Sequence, residues 1–276
     1  MKIKLQDLLS SDDEFIVYAR SIMNCDKFFL IYYSSQGVTL SDGEIVHKIR
    51  KAPDERLNNE FRVLTLLNKR EDLGFKIPEV FNFIENKGFV VMTTGFIEGL
   101  KVEDVDRLHH SNAIESVQKL RGEIKSLISV AEARSLGIKV EECQPARYGE
   151  RLKMKTDYFT GVLDDDTQEK LIEKLQEIDM NCEIAFRHND LSHNNILFHD
   201  DGRVKAIIDW EDSEVGSSLF ETVAMKTHIT DYILCNISVS PEELQDPKYL
   251  FEMLLMSFLF NKEHVTAGLA REFLRR

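Results

Sequence analysis

The sequence predicts an α+β fold in two unequal parts, and three observations predict it. The first 98 residues hold several short apolar runs separated by turn residues, the pattern of an antiparallel sheet. From Val102 to Asp179 apolar residues follow the 3.6-residue period of helices, most clearly over Ile114–Val130. Residues 186–211 read as a hairpin with a polar cluster at each end. The division is expected near residue 98. Residues 1–98 then form a smaller lobe of sheet plus one helix, and residues 99–276 a larger, mostly helical lobe.

In order along the chain, Phe15–Ile22 is apolar but mixed and fits either a strand or an amphipathic helix. Phe28–Tyr33 is a strand; Gly37 and Ser41-Asp42-Gly43 mark turns. Glu44–Arg50 is a second strand. Asn58–Leu67 has the helical pattern, with Phe61, Val63, Leu64 and Leu67 apolar and Glu60 near the start, where the helix dipole favours a carboxylate. Ile77–Ile84 and Gly88–Gly95 are two more strands. Asp164-Asp165-Asp166 leads into a helix capped by an Asp. His109 and His110 lack matching ligands and read as surface residues. Beyond the hairpin, helices are expected over 218–236, 241–260 and 262–276, and the apolar run Tyr249–Phe260 is read as buried.

The hairpin carries the chemistry. His188-Asn189-Asp190 and Asn195 precede one short strand, and Asp209-Trp210-Glu211 comes after the apolar run Val204–Ile208. Asp200-Asp201-Gly202 supplies the turn between them. Pairing the strands brings Asp190, Asn195 and Asp209 to one end. Two carboxylates and an amide oxygen are hard ligands that suit Mg²⁺, which keeps its other positions for water and phosphate. An Asp of such a set that is spared from the metal can accept a proton from an incoming hydroxyl. Such a set serves phosphoryl transfer, where positioning and charge neutralisation supply most of the catalysis.

The pattern His188-x-Asp190 with Asn195, then Ile208-Asp209-Trp210-Glu211, resembles the aminoglycoside phosphotransferase and choline kinase superfamily. These are small-molecule kinases with a bilobal, protein-kinase-like fold. The resemblance is specific over residues 186–211 and implies a set of roles. Residues 1–98 become the nucleotide-binding lobe and 99–276 the catalytic and substrate-binding lobe. Asp190 becomes the base, and Asn195 and Asp209 hold Mg²⁺. Lys48 holds the phosphate oxygens of ATP or GTP, aimed by Glu60. Backbone groups of Gly95 and Ile97, in the hinge Gly95–Gly99, bond the nucleobase. His188 anchors the loop as a packed histidine. The chain departs from the pattern twice. Its candidate phosphate-covering loop, Ser21–Lys27, contains no glycine. Where relatives have Gly-Asp-Pro-x-x-Asp it has Gly216-Ser-Ser-Leu-Phe-Glu221, with Glu221 in the final Asp position. A protein kinase fits less well, because no Ala-Pro-Glu comes after Asp209. A nucleotide-binding module without turnover is the alternative outside enzymes.

Charge bears on partners. The net charge of −13 excludes a nucleic-acid binder, which needs a basic face. Residues 99–276 hold 22 Lys/Arg against 33 Asp/Glu, so nearly all the excess acidity lies there. That distribution favours a cationic small-molecule acceptor, with Glu211, Asp212 and Glu214 expected to face it. An aminoglycoside-directed enzyme of the antibiotic-resistance type is the leading expectation. A choline or ethanolamine kinase is the alternative, and the single Trp and seven Tyr offer little for an aromatic cage. The four cysteines are far apart and suggest neither zinc nor disulfides. No signal-peptide core precedes Asp12-Asp13-Glu14, and no apolar run is long enough to span a bilayer. A cytoplasmic monomer without membrane or nucleic-acid partners is expected.

Overall fold

The computed structural model describes residues 13–23, 27–141 and 183–217, together with 164, 166, 167, 169, 170 and 173. Five strands form one antiparallel sheet: β1 (Phe29–Ser34), β2 (Gly37–Ser41), β3 (Ile45–Lys51), β4 (Val80–Asn86) and β5 (Phe89–Gly95), in the order β1-β2-β3-β5-β4. Four of these match expected runs. β2 lies between the two turn signals and was not expected as a strand. All five of its residues are buried, because it sits between β1 and β3. Its register sets Thr39 opposite Lys48, and Lys48 in turn lies opposite Met92 on β5.

The ambiguous run near the start is helix α1 (Glu14–Ile22), capped by Asp13, whose carboxylate accepts from the N–H groups of Phe15 and Ile16. Phe15, Ile16, Tyr18 and Ala19 pack on one face of the sheet against Leu30, Val38, Leu40, Ile49 and Val91. Helix α2 (Glu55–Leu67) starts at the cap Asp54, which accepts from Leu57 N–H, and buries Leu57, Val63, Leu64 and Leu67. A larger core gathers those residues with Met92, Val102, Phe186, Ile207 and Trp210, so apolar packing runs unbroken from the sheet and α2 into the hairpin region.

After the sheet, Leu100 exchanges backbone hydrogen bonds with Phe198, at 3.0 and 2.8 Å. Helix α3 (His110–Lys125) comes next, then α4 (Val130–Leu136), which begins in a Ser129/Glu132 capping box and ends at Gly137 in the left-handed region. His110 is half-buried, its Nε2 against the Val105 carbonyl at 3.1 Å. Asp164 accepts from Thr167 N–H at 2.8 Å, the capping contact expected of it. The predicted hairpin is β7 (Ile196–Phe198) paired with β8 (Val204–Ile207). A second small pair joins β6 (Ile184–Arg187) to β9 (Glu214–Ser217), a strand that the residue pattern does not announce. The expected helices beyond residue 218, Glu221 and all four cysteines lie outside the described residues. Among the described residues no helix is long and apolar enough to cross a membrane.

Candidate active site

The two polar clusters meet as the spacing predicts. Ile208 N–H donates to the Asn195 carbonyl at 3.0 Å, joining the start of one strand to the end of the other. His188 is fully buried and lies against Trp210, ring centroids 4.6 Å apart. Its Nε2 is 3.1 Å from the Ile208 carbonyl, and its Nδ1 is 3.3 Å from Asp190 N–H. One nitrogen faces an acceptor and the other a donor, which fits a neutral imidazole protonated on Nε2. Burial agrees, pushing its pKa down to about 4. His188 therefore anchors the loop. Asn189 and Asp209 both have positive φ, 70° and 66°. For side chains with a Cβ that conformation costs roughly 1–2 kcal/mol, so packing around the site holds two strained residues in place.

Asp190 and Asn195 form a pair. Asn195 Nδ2 donates to the Asp190 carboxylate at 2.8 Å and to its backbone carbonyl at 2.9 Å. That leaves Oδ1 as the amide's remaining ligand atom. Burial pushes the Asp190 carboxyl up to about 6, and the negative charges of Asp209 and Asp212 add to it.

Lys48 lies at the centre of the other half. Its Nζ is 2.6 Å from Glu60 Oε2 and 2.6 Å from Asp209 Oδ1. Burial disfavours its charge, but the carboxylates of Glu60, Asp209 and Glu211 prevail and raise its pKa. Burial likewise raises the Asp209 carboxyl, yet Lys48 prevails and holds it below the usual range. Glu60 is 1% exposed, and burial raises its pKa despite Lys48. It is thus no solvated first-turn carboxylate. Its second oxygen accepts from Trp210 N–H at 3.2 Å, so one side chain links β3, α2 and the Asp209–Glu211 segment.

Two neighbours on α2 escaped sequence reasoning. Asn59 donates to the Glu211 and Ser213 carbonyls, at 3.1 and 2.7 Å. Arg56 makes a bidentate pair with Asp212, at 2.9 and 2.5 Å, and reaches Glu211 at 2.8 Å. The available signal was the i, i+3, i+4 spacing of Arg56, Asn59 and Glu60, which places them on one helical stripe. Lys101 was also missed. It is half-buried, and its ammonium donates to the Asn194 carbonyl beside Asn195.

The residues expected at the acceptor divide. Glu211 and Asp212 are partly exposed and both pair with Arg56. Glu214 is corrected: it is 3% exposed and bonded to Arg187 and, at 2.5 Å, to Lys139. Burying a carboxylate among its own counter-ions gives it a structural role. Gly216 belongs to the same arrangement, since a Cβ there would come within 2.7 Å of the Arg187 guanidinium. In the hinge, Gly95 N–H donates to the Glu79 carbonyl and Phe96 N–H to that of Glu44, both at 2.8 Å. The Gly95 N–H is thus committed within the fold. The candidate phosphate-covering loop Ser21–Lys27 is described only in part. Ser21 and Ile22 end α1, which packs on the sheet face of Ile49, opposite that of Lys48. Residues 24–26 lie outside the described residues.

Carboxylate oxygens of Glu60, Asp209 and Glu211 lie within 4.8 Å of one another. An all-oxygen donor set of this kind fits a hard divalent cation such as Mg²⁺.

The family model described as the phosphotransferase enzyme family matches residues 33–231. This chain belongs to that family. It is accordingly a phosphotransferase that uses a hydroxyl acceptor, with the protein-kinase-like α+β fold. Solved structures agree on the fold. The GDP complex of wild-type aminoglycoside 2'-phosphotransferase-IIIa superposes with a TM-score of 0.65 at 15% identity, over 99% of this chain and 97% of that one. An apo thermostable mutant of aminoglycoside phosphotransferase APH(4)-Ia gives 0.66 at 15% identity, over 95% and 98%. The streptomycin–ATP–APH(2")-IIa ternary complex gives 0.61 at 16% identity, over 95% and 99%. Among curated proteins none matches by sequence.

Proposed function

We propose that the protein transfers the γ-phosphoryl group of ATP or GTP to a hydroxyl of a small cationic acceptor, as an aminoglycoside phosphotransferase does. One observation carries the reading: Lys48 is clamped between Glu60 and Asp209, while Asp190, with a raised carboxyl, faces the same end of the hairpin on Asn195. Asp190 orients the acceptor hydroxyl and takes its proton. Lys48 exchanges its Asp209 contact for phosphate oxygens, and Glu60 keeps it aimed. His188, neutral and buried, holds the Asp190 turn. Asn195 and Asp209 would hold Mg²⁺, with Glu211 close by, and the ion would neutralise charge on the phosphate chain. The lobe boundary belongs near residue 98, and the base contacts to the Gly95–Ile97 backbone. Support for ATP or GTP comes from similar structures described as complexes with ATP and with GDP.

A cationic acceptor is favoured by the acidity of residues 99–276. Glu211 and Asp212 can meet it by yielding part of their contact with Arg56, which is half exposed. The test is nucleotide consumption with a panel of aminoglycosides, choline, ethanolamine and sugar alcohols. Turnover should appear with a cationic acceptor and be abolished by Asp190→Ala while nucleotide binding persists. Asp209→Ala should weaken both binding and turnover. Near wild-type rates in both variants would remove the kinase assignment of this hairpin. A neutral best substrate would remove only the cationic acceptor.

A further inference from the structure

Arg50 lies two residues beyond Lys48 on β3, so strand alternation sets both cations on one face of the sheet. Ile49, between them, packs under α1 on the other face. Only 7% of Arg50 is exposed, and the polar contacts of its guanidinium among the described residues are long. Nη1 is 3.4 Å from the neighbouring Ile49 carbonyl, and Nη2 is 3.9 Å from Glu211, which holds Arg56 more closely at 2.8 Å. A guanidinium presents a planar fork of donors, and burying it without matched acceptors is costly.

Its surroundings indicate what the fork fits. Arg50 is in register with Gly37, the residue that opens β2 after the β1–β2 turn. A Cβ at Gly37 would stand 2.2 Å from the Ile49 carbonyl and 2.7 Å from both Cδ and Nη1 of Arg50, so both the close approach of β3 and the seat of this side chain beneath the turn call for glycine. On its other side is Glu211, whose carboxylate is within 4.8 Å of those of Asp209 and Glu60. The guanidinium therefore bridges the space between the turn and the carboxylate cluster, on the Lys48 side of the sheet. An anion that reaches Lys48 meets Arg50 next, and phosphate matches its fork bidentately.

We propose that Arg50 is a second phosphate-binding cation, which receives the phosphate chain of the nucleotide beneath the β1–β2 turn alongside Lys48. The proposal rests on the nucleotide-dependent reading above. It supplies by a side chain what a glycine-rich backbone supplies elsewhere.

Dissociation constants for adenosine and guanosine and their mono-, di- and triphosphates, measured with Mg²⁺ by calorimetry, test it. The proteins compared are wild type, Arg50→Met, Arg50→Lys, Glu211→Gln and the Arg50→Met/Glu211→Gln double variant. Arg50→Met should bind the triphosphate about tenfold or more weakly, as the loss of one charged hydrogen-bonded pair implies. The bare nucleoside should be unaffected. Arg50→Lys keeps charge without the fork and should fall between; it carries the test if Arg50→Met does not fold. The loss should persist in the Glu211→Gln background. If the double variant is no weaker than Glu211→Gln alone, or if the nucleoside suffers as much as the triphosphate, Arg50 only supports Glu211 or the sheet and the proposal is overturned. A wild-type protein that binds none of these nucleotides overturns the kinase reading and this proposal together; intact wild-type binding with insensitive Arg50 variants overturns this proposal alone.

Discussion

Asp190 shows how burial tunes one carboxyl. Its carboxyl is pushed up to about 6, chiefly by burial and then by Asp209, so it accepts protons closer to neutrality than an ordinary aspartate. The same shift has a stability consequence. A carboxyl whose folded value exceeds its unfolded value stabilises the fold while protonated, and that contribution is lost as pH rises through about 6. Asp190→Asn should therefore stabilise the metal-free protein above that pH, by roughly 1 kcal/mol after allowing for the partial exposure of the group. The gain should shrink to nothing below the ordinary carboxylate value. Urea unfolding on both sides of the window checks this, and an equal effect at both pH values would show that the carboxyl is not raised. Asp190 and His188 were legible in the sequence as residue types at fixed spacing. The tautomer and the direction of the shift were not, because both depend on which groups surround them.

At the scale of elements, α2 acts as a brace for residues 209–213. Glu60 takes Lys48 and Trp210 N–H, Asn59 takes two carbonyls, and Arg56 takes two carboxylates. Asn59→Ala removes two hydrogen bonds and should lower stability by roughly 1–2 kcal/mol. Arg56→Ala, removing a half-exposed pair, should cost at most about 1 kcal/mol. Denaturant titration orders the two, and a larger loss for Arg56→Ala would show that the surface pair, not the half-buried Asn59 amide, holds the brace. Lys48→Ala and Glu60→Ala should impair the same step, with the double variant losing less than the two losses added together. Additive effects on the nucleotide KM would mean that Glu60 does not position Lys48. The helix itself was readable from Phe61, Leu64 and Leu67. What its polar stripe faces was not, because the facing segment lies some 150 residues away in sequence.

Across the whole molecule, acidity of residues 99–276 is partly spent internally. Glu214 lies between Arg187 and Lys139, and Glu211 and Asp212 lie against Arg56. If the remaining negative field draws the proposed cationic acceptor, salt should weaken acceptor binding. The acids should separate on mutation. Glu211→Gln should raise the acceptor KM more than the nucleotide KM. Glu214→Gln should leave the acceptor KM alone and lower stability by about 3 kcal/mol, the low end for breaking a buried pair, since Arg187 keeps Glu141. Steady-state kinetics at two salt concentrations, with unfolding of each variant, tests both. A Glu214→Gln protein with normal stability and a raised acceptor KM would reverse the assignment.

By itself the sequence determined the α+β class, four of the five sheet strands, helix α2, and the hairpin that brings Asp190, Asn195 and Asp209 to one end. Each of these is set locally, by side-chain period, turn residues or short fixed spacing. Only the tertiary structure decided the rest. It made Gly37–Ser41 a central strand, because pairing on both edges outweighs the turn residues at its ends. It placed Ser21 and Ile22 behind the sheet, and it turned Glu214 from an expected acceptor contact into a buried counter-ion. It also placed Arg50 beneath a glycine and beside the carboxylates. Such outcomes depend on which distant residues become neighbours, and charge or hydrophobicity read along one chain does not contain that information.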